Sequence, residues 1–470
     1  MIKIPELYNT LSRLVKKLID ILKCDGEYHT DFRKLSKGTV EGYLLDKYGK
    51  WSIGKVPLRI LPHLFTYLKT KHLDRLASMQ ETKELLKELF EILLHSELIK
   101  YPPKLMDPEG KLVVGAPTMQ DILFSGLSNG GVDRFIAQYL RRISVLGFDV
   151  KVFNECYSDF EDYHLSNVNS FTSVIPLLYF SSDIEVIEFS DEVKIVRLDP
   201  TEMTRLANIP FLGNPDSSKL EVLETIFGSG FAIKVAFSSQ KDEPVSDKSA
   251  RERARLLLTA LRLLKPGHVS WNITFGVPTD FNPVLATPTV QYSIPLPSTR
   301  RKECLFLSAG ESEILRNIWH SLRCLSQCRD QGKLDVGIRK FNDIYNRSSL
   351  EDRIIDMSIL LESTLLYGIK DELAYRLSLR GAHLLKSNRD AKQTYKYLKK
   401  FYDLRSDIVH DGKRLDPAIS IDGSELTAKW FVAEMETVCR EILRAFVEKV
   451  AKGSSLGNIN KGLDEEALRA

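Results

Sequence analysis

The 470-residue sequence carries no excess charge of either sign. Lysine and arginine total 66 against 63 aspartates and glutamates, a formal balance of +3. The whole chain therefore generates no field that selects an anionic partner, and any basic surface must be local. Cysteine is scarce: the six (Cys24, Cys156, Cys304, Cys324, Cys328, Cys439) are scattered, and the closest pair, Cys324 and Cys328, lies one helical turn apart without the C-x2-C spacing of a zinc knuckle. They read as reduced, mostly buried thiols of a cytosolic protein. Long apolar runs are missing too. The stretch 256–264 is broken by Arg262 well short of the roughly 20 residues a membrane span needs. The start, Met1-Ile-Lys-Ile-Pro-Glu, leads into an amphipathic run with Lys16, Lys17 and Lys23, with no secretion signal evident. The expectation is a cytoplasmic protein with no membrane partner. Residues 1–300 contain no P-loop, G-x-G-x-x-G or H-E-x-x-H, so no separate enzyme is read there, and no cofactor or metal is expected. The glycine-rich Ser125-Gly126-Leu127-Ser128-Asn129-Gly130-Gly131 lacks the lysine of a Walker loop and reads as a plain loop.

With 43% hydrophobic and 27% charged residues the chain can support two or three cores. Residues 1–105 carry helical periodicity, clearest over 72–100, where Leu73, Leu76, Leu85, Leu86, Leu89 and Phe90 recur three or four apart until Tyr101-Pro102-Pro103 ends the run. The region 106–300 mixes strand and helix: strands at 172–180, 231–237, 269–275 and 290–294, a hairpin from 184–189 and 193–198, and a helix at 250–264. The proline-bearing basic stretch Pro295-Leu296-Pro297-Ser298-Thr299-Arg300-Arg301-Lys302 marks a boundary. From 311 to 452 the period is helical throughout, over 311–327, 333–346, 349–367, 371–386, 390–411 and 425–451. Gly368 and Gly412 stand where glycines close helices, and Asp371 can cap the next one. Residues 453–470 read as a flexible tail. The fold class is thus α+β and multidomain, a mixed α/β N-terminal region followed by an all-α helical bundle.

The helix ending at His410 carries two stripes, Tyr397, Phe401, Leu404, Ile408 and Leu398, Tyr402, Val409, with Arg405 filling a slot in the second. A guanidinium on a packed seam must find a carboxylate or border a cleft, since an unpaired buried charge costs several kcal/mol, roughly. His410 lies about 140° around the helix from Arg405, in the last turn, where the helix dipole favours imidazolium. Spacing alone decides nothing. Nine histidines give roughly one or two arginine–histidine pairs at four- to six-residue gaps by chance, and the chain holds three: Arg262 with His268, Arg376 with His383, and Arg405 with His410. Pro266-Gly267 breaks the first. Glu362 and Arg380 each interrupt an apolar stripe and are expected to pair with one another as a structural bridge.

Several segments in order, Arg339-Lys340-Phe341-Asn342, Ser349-Leu350-Glu351-Asp352-Arg353-Ile354-Ile355-Asp356, Leu360-Leu361-Glu362-Ser363, Glu372 to Ala382 and Tyr402-Asp403-Leu404-Arg405-Ser406-Asp407-Ile408-Val409-His410, resemble the Apea-like branch of the HEPN superfamily. The resemblance spans about 75 residues within the last third of the chain. It implies a helical bundle that pairs with its twin, bringing two Arg-x4-6-His helices into one RNA-cleaving cleft without a metal ion, in antiviral defence or a toxin system. Ser406 departs from the Asn, Asp or His often found after the arginine, and Asp411 could hold His410 as an ion-pair partner. On this reading the catalytic residues are Arg405 and His410. The substrate's 2′-hydroxyl is the nucleophile, His410 is its acid or base, and Arg405 neutralises the phosphorane. From Asp371 to Arg414 eleven positive side chains face six negative ones, which suits a phosphate backbone; Lys396, Lys399, Lys400 and Ser406 are the expected RNA contacts. The alternatives beside this are a solvated lysine face, Arg405 paired to Asp403 or Glu362 with His410 capping carbonyls, and a noncatalytic HEPN module that dimerises and binds nucleic acid or nucleotide.

Overall fold

The computed structural model describes residues 2–24, 39–45, 51–57, 80–98, 135–136, 139, 147–198, 229–240, 248–271, 273–278, 291–292, 303–325 and 331–469. In chain order the first elements are α1 (Pro5–Cys24), β1 (Thr39–Leu45), β2 (Trp51–Pro57), α2 (Gln80–His95), α3 (Val150–Leu165), β3 (Val168–Pro176), β4 (Phe180–Ser182), β5 (Val186–Ser190), β6 (Val193–Arg197) and β7 (Phe231–Gln240). There follow α4 (Lys248–Leu264), β8 (Ile273–Pro278), β9 (Gln291–Tyr292), β10 (Leu305–Leu307), α5 (Ser312–Cys324), α6 (Gln331–Ile344), α7 (Leu350–Leu365) and α8 (Leu373–Leu385). The last are α9 (Ala391–Asp411), β11 (Ala418–Ile421), β12 (Ser424–Thr427), α10 (Ala428–Ala451) and α11 (Leu456–Arg469). The fold is mixed α+β. No described helix is long and apolar enough to cross a membrane. The features read at 101–103, 125–131 and 295–302 lie outside the described residues.

One compact unit comprises Met1–Pro176, Asp191–Arg251 and Asn272–Ser293. Leu7, Leu11, Leu14 and Leu18 of α1 pack with Leu85, Leu89 and Leu93 of α2 and with Phe153, Tyr157 and Phe160 of α3. Glu161 fixes the start of α1: its carboxylate accepts from the backbone N–H of Lys3 at 2.8 Å and of Ile4 at 2.6 Å, and from the Tyr157 hydroxyl at 3.0 Å. These partners satisfy donors that a helix start leaves open. In the sheet, β3 runs antiparallel between β7 and β8, β6 adds beyond β7, and β9 pairs with β8. Phe171 stands opposite Phe237 with ring centroids 5.3 Å apart. Two expectations change here. The segment 1–105, expected to be mostly helical, also carries strands: β1 and β2 form an antiparallel hairpin from Thr39↔Pro57 to Leu45↔Trp51. Val40, Tyr43, Trp51, Ile53 and Val56 favour extended chain, and Gly42 and Gly54 disfavour helix. The strand read over 172–180 is broken, because the pairing ends at Pro176 and Tyr179 takes φ 55 before β4.

The second unit comprises Leu177–Ser190, Glu252–Trp271 and Ile294–Ala470. The helices read from 311 onward are present, but the region is not all-α: the helix expected over 425–451 begins at Ala428, because Ser424–Thr427 is strand β12, paired antiparallel with β11. The same unit takes in most of α4 and the parallel pair β4 and β10. A buried polar network ties α4 to α6 and α10. Arg262 donates through Nε and Nη2 to the carbonyl of Val269 at 3.2 and 3.0 Å, and through Nη1 to Asn342 Oδ1 at 2.8 Å. Burial holds its guanidinium down to about 10, while Tyr345 and Glu436 pull the other way. Arg440 donates to the carbonyl of Arg262 at 2.8 Å, to the Tyr345 hydroxyl at 3.2 Å and to Glu436 at 2.9 Å. Arg262 is therefore structural.

Residues 453–470 are not a loose tail, since α11 docks on α8 and α10. Leu456, Ile459 and Leu463 are buried at helical spacing, and Asn460 donates to the carbonyl of Thr364 at 2.9 Å. The cap expected of Asp371 does not form. Glu372 precedes α8 in a left-handed conformation with no side-chain cap, and its carboxylate lies 3.6 Å from Arg376. Of the cysteines whose burial is described, Cys156 and Cys439 are buried, whereas Cys304 and Cys324 are exposed.

Gly381 lets α8 and α9 approach. A Cβ there would collide with Leu398 and stand 3.4 Å from Leu365. Gly381→Ala gains about 1 kcal/mol of helix propensity but overpacks by about 1–3 kcal/mol. Urea denaturation should show a net loss of about 1 kcal/mol, and a stabilised variant would refute the tight-contact account. Asp356, buried, accepts from Lys340 at 2.8 Å and from Arg347 at 2.7 Å. Burial pushes its carboxyl up, but those two hydrogen bonds and charges outweigh it, so the group sits below its ordinary value of 3.8. A depressed carboxyl stabilises fully above its unfolded value, and the gain disappears as pH falls through the folded one. The stability advantage of the parent over Asp356→Asn should stay level from pH 7 to about 4 and shrink below that. An advantage that grows on acidification would contradict this.

Candidate functional site

Helix α9 starts at Asp390, whose carboxylate accepts from the Gln393 backbone at 2.6 Å, and ends at Gly412 with φ 62. Both positions follow from sequence: an aspartate satisfies open donors at the start, and glycine adopts the left-handed closing conformation without strain. The buried residues of the helix are Thr394, Leu398 and Phe401. Beyond Phe401 none is buried. Tyr402, Leu404 and Ile408 are half-buried and Val409 is 45% exposed. The packed seam expected along the whole helix thus holds only in its first half, and the stretch bearing Arg405 and His410 leaves apolar surface uncovered.

Arg405 reaches back to α7. Its Nη2 lies 3.2 Å from Glu362 Oε1, with the two side chains 21% and 31% exposed, and its guanidinium lies 5.7 Å from the centre of the Tyr402 ring. The contact has ion-pair distance without hydrogen-bond alignment: Arg405 Nε and Glu362 Oε1 are both buried with no hydrogen-bond partner. We read it as electrostatic pairing that leaves donor capacity unspent, and an unsatisfied buried donor costs about 1–3 kcal/mol. Burial, then the Glu362 charge, raises the Tyr402 phenol, and Arg405 opposes them. The bridge expected between Glu362 and Arg380 does not exist. Arg380 instead forks onto Asp464, Nε and Nη2 each 2.7 Å from a carboxylate oxygen. Its partner lies on α11, within the stretch expected to be a flexible tail.

His410 is exposed in the last turn of α9. Asp411 is drawn to Lys413, 3.0 Å away, and Asp407 to the same ammonium at 3.2 Å. After Gly412 the chain turns back, and the Leu415 N–H donates to Glu351 at the start of α7 at 3.2 Å.

Most of the local positive excess is neutralised nearby. Arg376 and Arg380 face Asp464, Lys386 faces Glu466, Arg389 faces Glu434 and Glu441, and Lys396 binds Asp422 of the β11–β12 turn. Lys392, Lys399 and Lys400 have no ion pair among the described residues. At about 100° per residue, Lys392 lies five turns before His410 on the same azimuth, Lys399 within about 20° of it, and Lys396 and Ser406 within about 40°. Of the expected RNA contacts, Lys396, Lys399 and Ser406 therefore share the face of His410, though Lys396 is already engaged, and Lys400 sits on the flank. Lys392 belongs to the stripe and was missed, because a count of charges does not separate free lysines from paired ones.

No family model, curated protein or solved structure matches this chain.

Proposed function

We propose that the chain is a metal-independent endoribonuclease of the HEPN type that acts as a homodimer, with His410 as acid and base and Arg405 as the cation. The observation that carries this reading is an exposed imidazole at the open end of α9, five residues after a guanidinium with unspent donors, on a half-helix where Leu404 and Ile408 are only half-buried and Val409 is exposed. Within one copy Arg405 and His410 diverge by about 140°, so a second copy across Leu404, Ile408 and Val409 is what brings an arginine and a histidine to one phosphate. The 2′-oxygen attacks the adjacent phosphorus and its proton passes to His410. The bond to the 5′-oxygen breaks, and that oxygen leaves with a proton from the second copy's His410, giving a 2′,3′-cyclic phosphate and a 5′-hydroxyl. Arg405 compensates charge on the nonbridging oxygens, two of which match its planar fork. A role in antiviral defence or as a toxin rests on the sequence resemblance.

One observation favours a second reading, a noncatalytic dimerising module: Glu362 already supplies Arg405 with a carboxylate. Incubating the full chain with total RNA in EDTA, beside Arg405→Ala and His410→Ala, separates the two. Cleavage by the parent that both substitutions remove supports the nuclease. An unchanged fragment pattern in both variants ends it.

A further inference from the structure

Trp430 occupies an unusual place for a tryptophan. It lies in the first turn of α10, where its backbone N–H donates to the capping Thr427 hydroxyl at 3.3 Å. The next two residues, Phe431 and Val432, are fully buried, yet Trp430 is 47% exposed. Its indole is held rather than loose: the Tyr397 ring of α9 meets it edge-on, centroids 6.2 Å apart at 84°. Tyr397 is itself fixed by Phe431 at 5.9 Å and by Gln393, whose amide donates to its hydroxyl at 3.0 Å. Lys429 adjoins the indole in sequence, and Lys400 lies one turn along α9 from Tyr397. Neither lysine has an ion pair among the described residues. Tyr397 is about 20 Å along the helix axis from His410, at 1.5 Å per residue.

From this arrangement we infer that Trp430, steadied by Tyr397, is a base-stacking subsite for single-stranded RNA, with Lys400 and Lys429 holding the flanking phosphates. The inference rests on reading α9 as the RNA path and adds which form of RNA the chain takes. A rigid exposed indole offers a flat apolar face, and unpaired bases stack on such faces whatever their identity. In a duplex both faces of each base are already covered, and the A-form grooves present edges and hydroxyls instead. A second copy of this chain is a poor occupant, because a two-fold contact centred here would set the lysines against their own kind.

The test is a titration of a labelled twelve-nucleotide oligouridine, and separately of a perfectly paired RNA hairpin, by fluorescence anisotropy. The full chain carries His410→Ala so that the ligand stays intact. Trp430→Ala should weaken oligouridine binding about tenfold and hairpin binding less than twofold. Trp430→Phe should keep most of the affinity, and Trp430→Leu, which fills the space against Tyr397 without an aromatic face, should behave like alanine; that Phe–Leu comparison decides the matter if the alanine variant folds poorly. Four results would each overturn the inference: equal binding by Phe and Leu variants, no oligouridine binding by the Trp430 protein, equal losses for strand and hairpin, or dimers turned to monomers by Trp430→Leu. Binding that depends on Trp430 in a protein that never cleaves RNA would leave this subsite standing and remove the nuclease. Cleavage with no dependence on Trp430 would do the reverse.

Discussion

Replacing His410 by alanine is expected to lower RNA cleavage by a factor of about 10²–10⁴, the usual worth of a positioned proton-transfer group, while leaving thermal unfolding unchanged. The second half of the prediction follows from position. The imidazole is exposed in the final turn of α9, and exposed substitutions away from packing and capping features usually change stability by less than about 0.5 kcal/mol. A structural histidine would give the opposite pattern, a shifted Tm with little change in any activity. Arg405→Ala is less clean, because it also strands Glu362 in a partly buried setting. Arg405→Lys keeps the charge near Glu362 but loses the planar fork, so under the nuclease reading it should fold well and still cleave poorly.

The largest expected effect on stability comes from Asp464→Ala. Arg380 is buried, and two of its donors are satisfied by the Asp464 carboxylate at 2.7 Å each. Removing that carboxylate leaves a buried guanidinium with its charge uncompensated, which costs about 3–5 kcal/mol. The Asp464 side chain keeps 33% exposure, so water can relieve part of the loss and the lower end, about 3 kcal/mol, is expected, a fall in Tm of about 6–12 °C for a body of this size. Replacing both partners tests the cause. Arg380→Met with Asp464→Leu removes the charge along with its mate and should recover most of the lost stability. A double variant as unstable as Asp464→Ala would mean that the damage comes from lost packing of α11 and not from a stranded charge.

The helical part of the fold is legible in the sequence wherever one face repeats every three or four residues. The limits of α9 follow from Asp390 and Gly412, and its inward face from Leu398 and Phe401. What periodicity hides is the point where that face stops being covered, because Leu404 and Ile408 continue the stripe in sequence while the surrounding body ends. Ion-pair partners are hidden for a similar reason. Arg380 and Glu362 both interrupt apolar stripes and invite pairing with each other, yet the carboxylate that meets Arg380 lies 84 residues away on α11. That helix escapes notice because its buried Leu456, Ile459 and Leu463 are diluted by glycines and charges. At the candidate site the arginine and histidine are visible as residues, and their divergence around the helix can be computed. The choice of Glu362 over Asp403 as Arg405's mate, and the exposure of Trp430 beside two buried neighbours, depend on how separate segments meet.

The two compact units trade the chain between them at 176/177, 190/191, 251/252, 271/272 and 293/294. A protease that severs any one of these joints leaves the halves tethered through the other four. Such a molecule cannot be divided into two free units by a single cut, and each half stays covalently joined to the other.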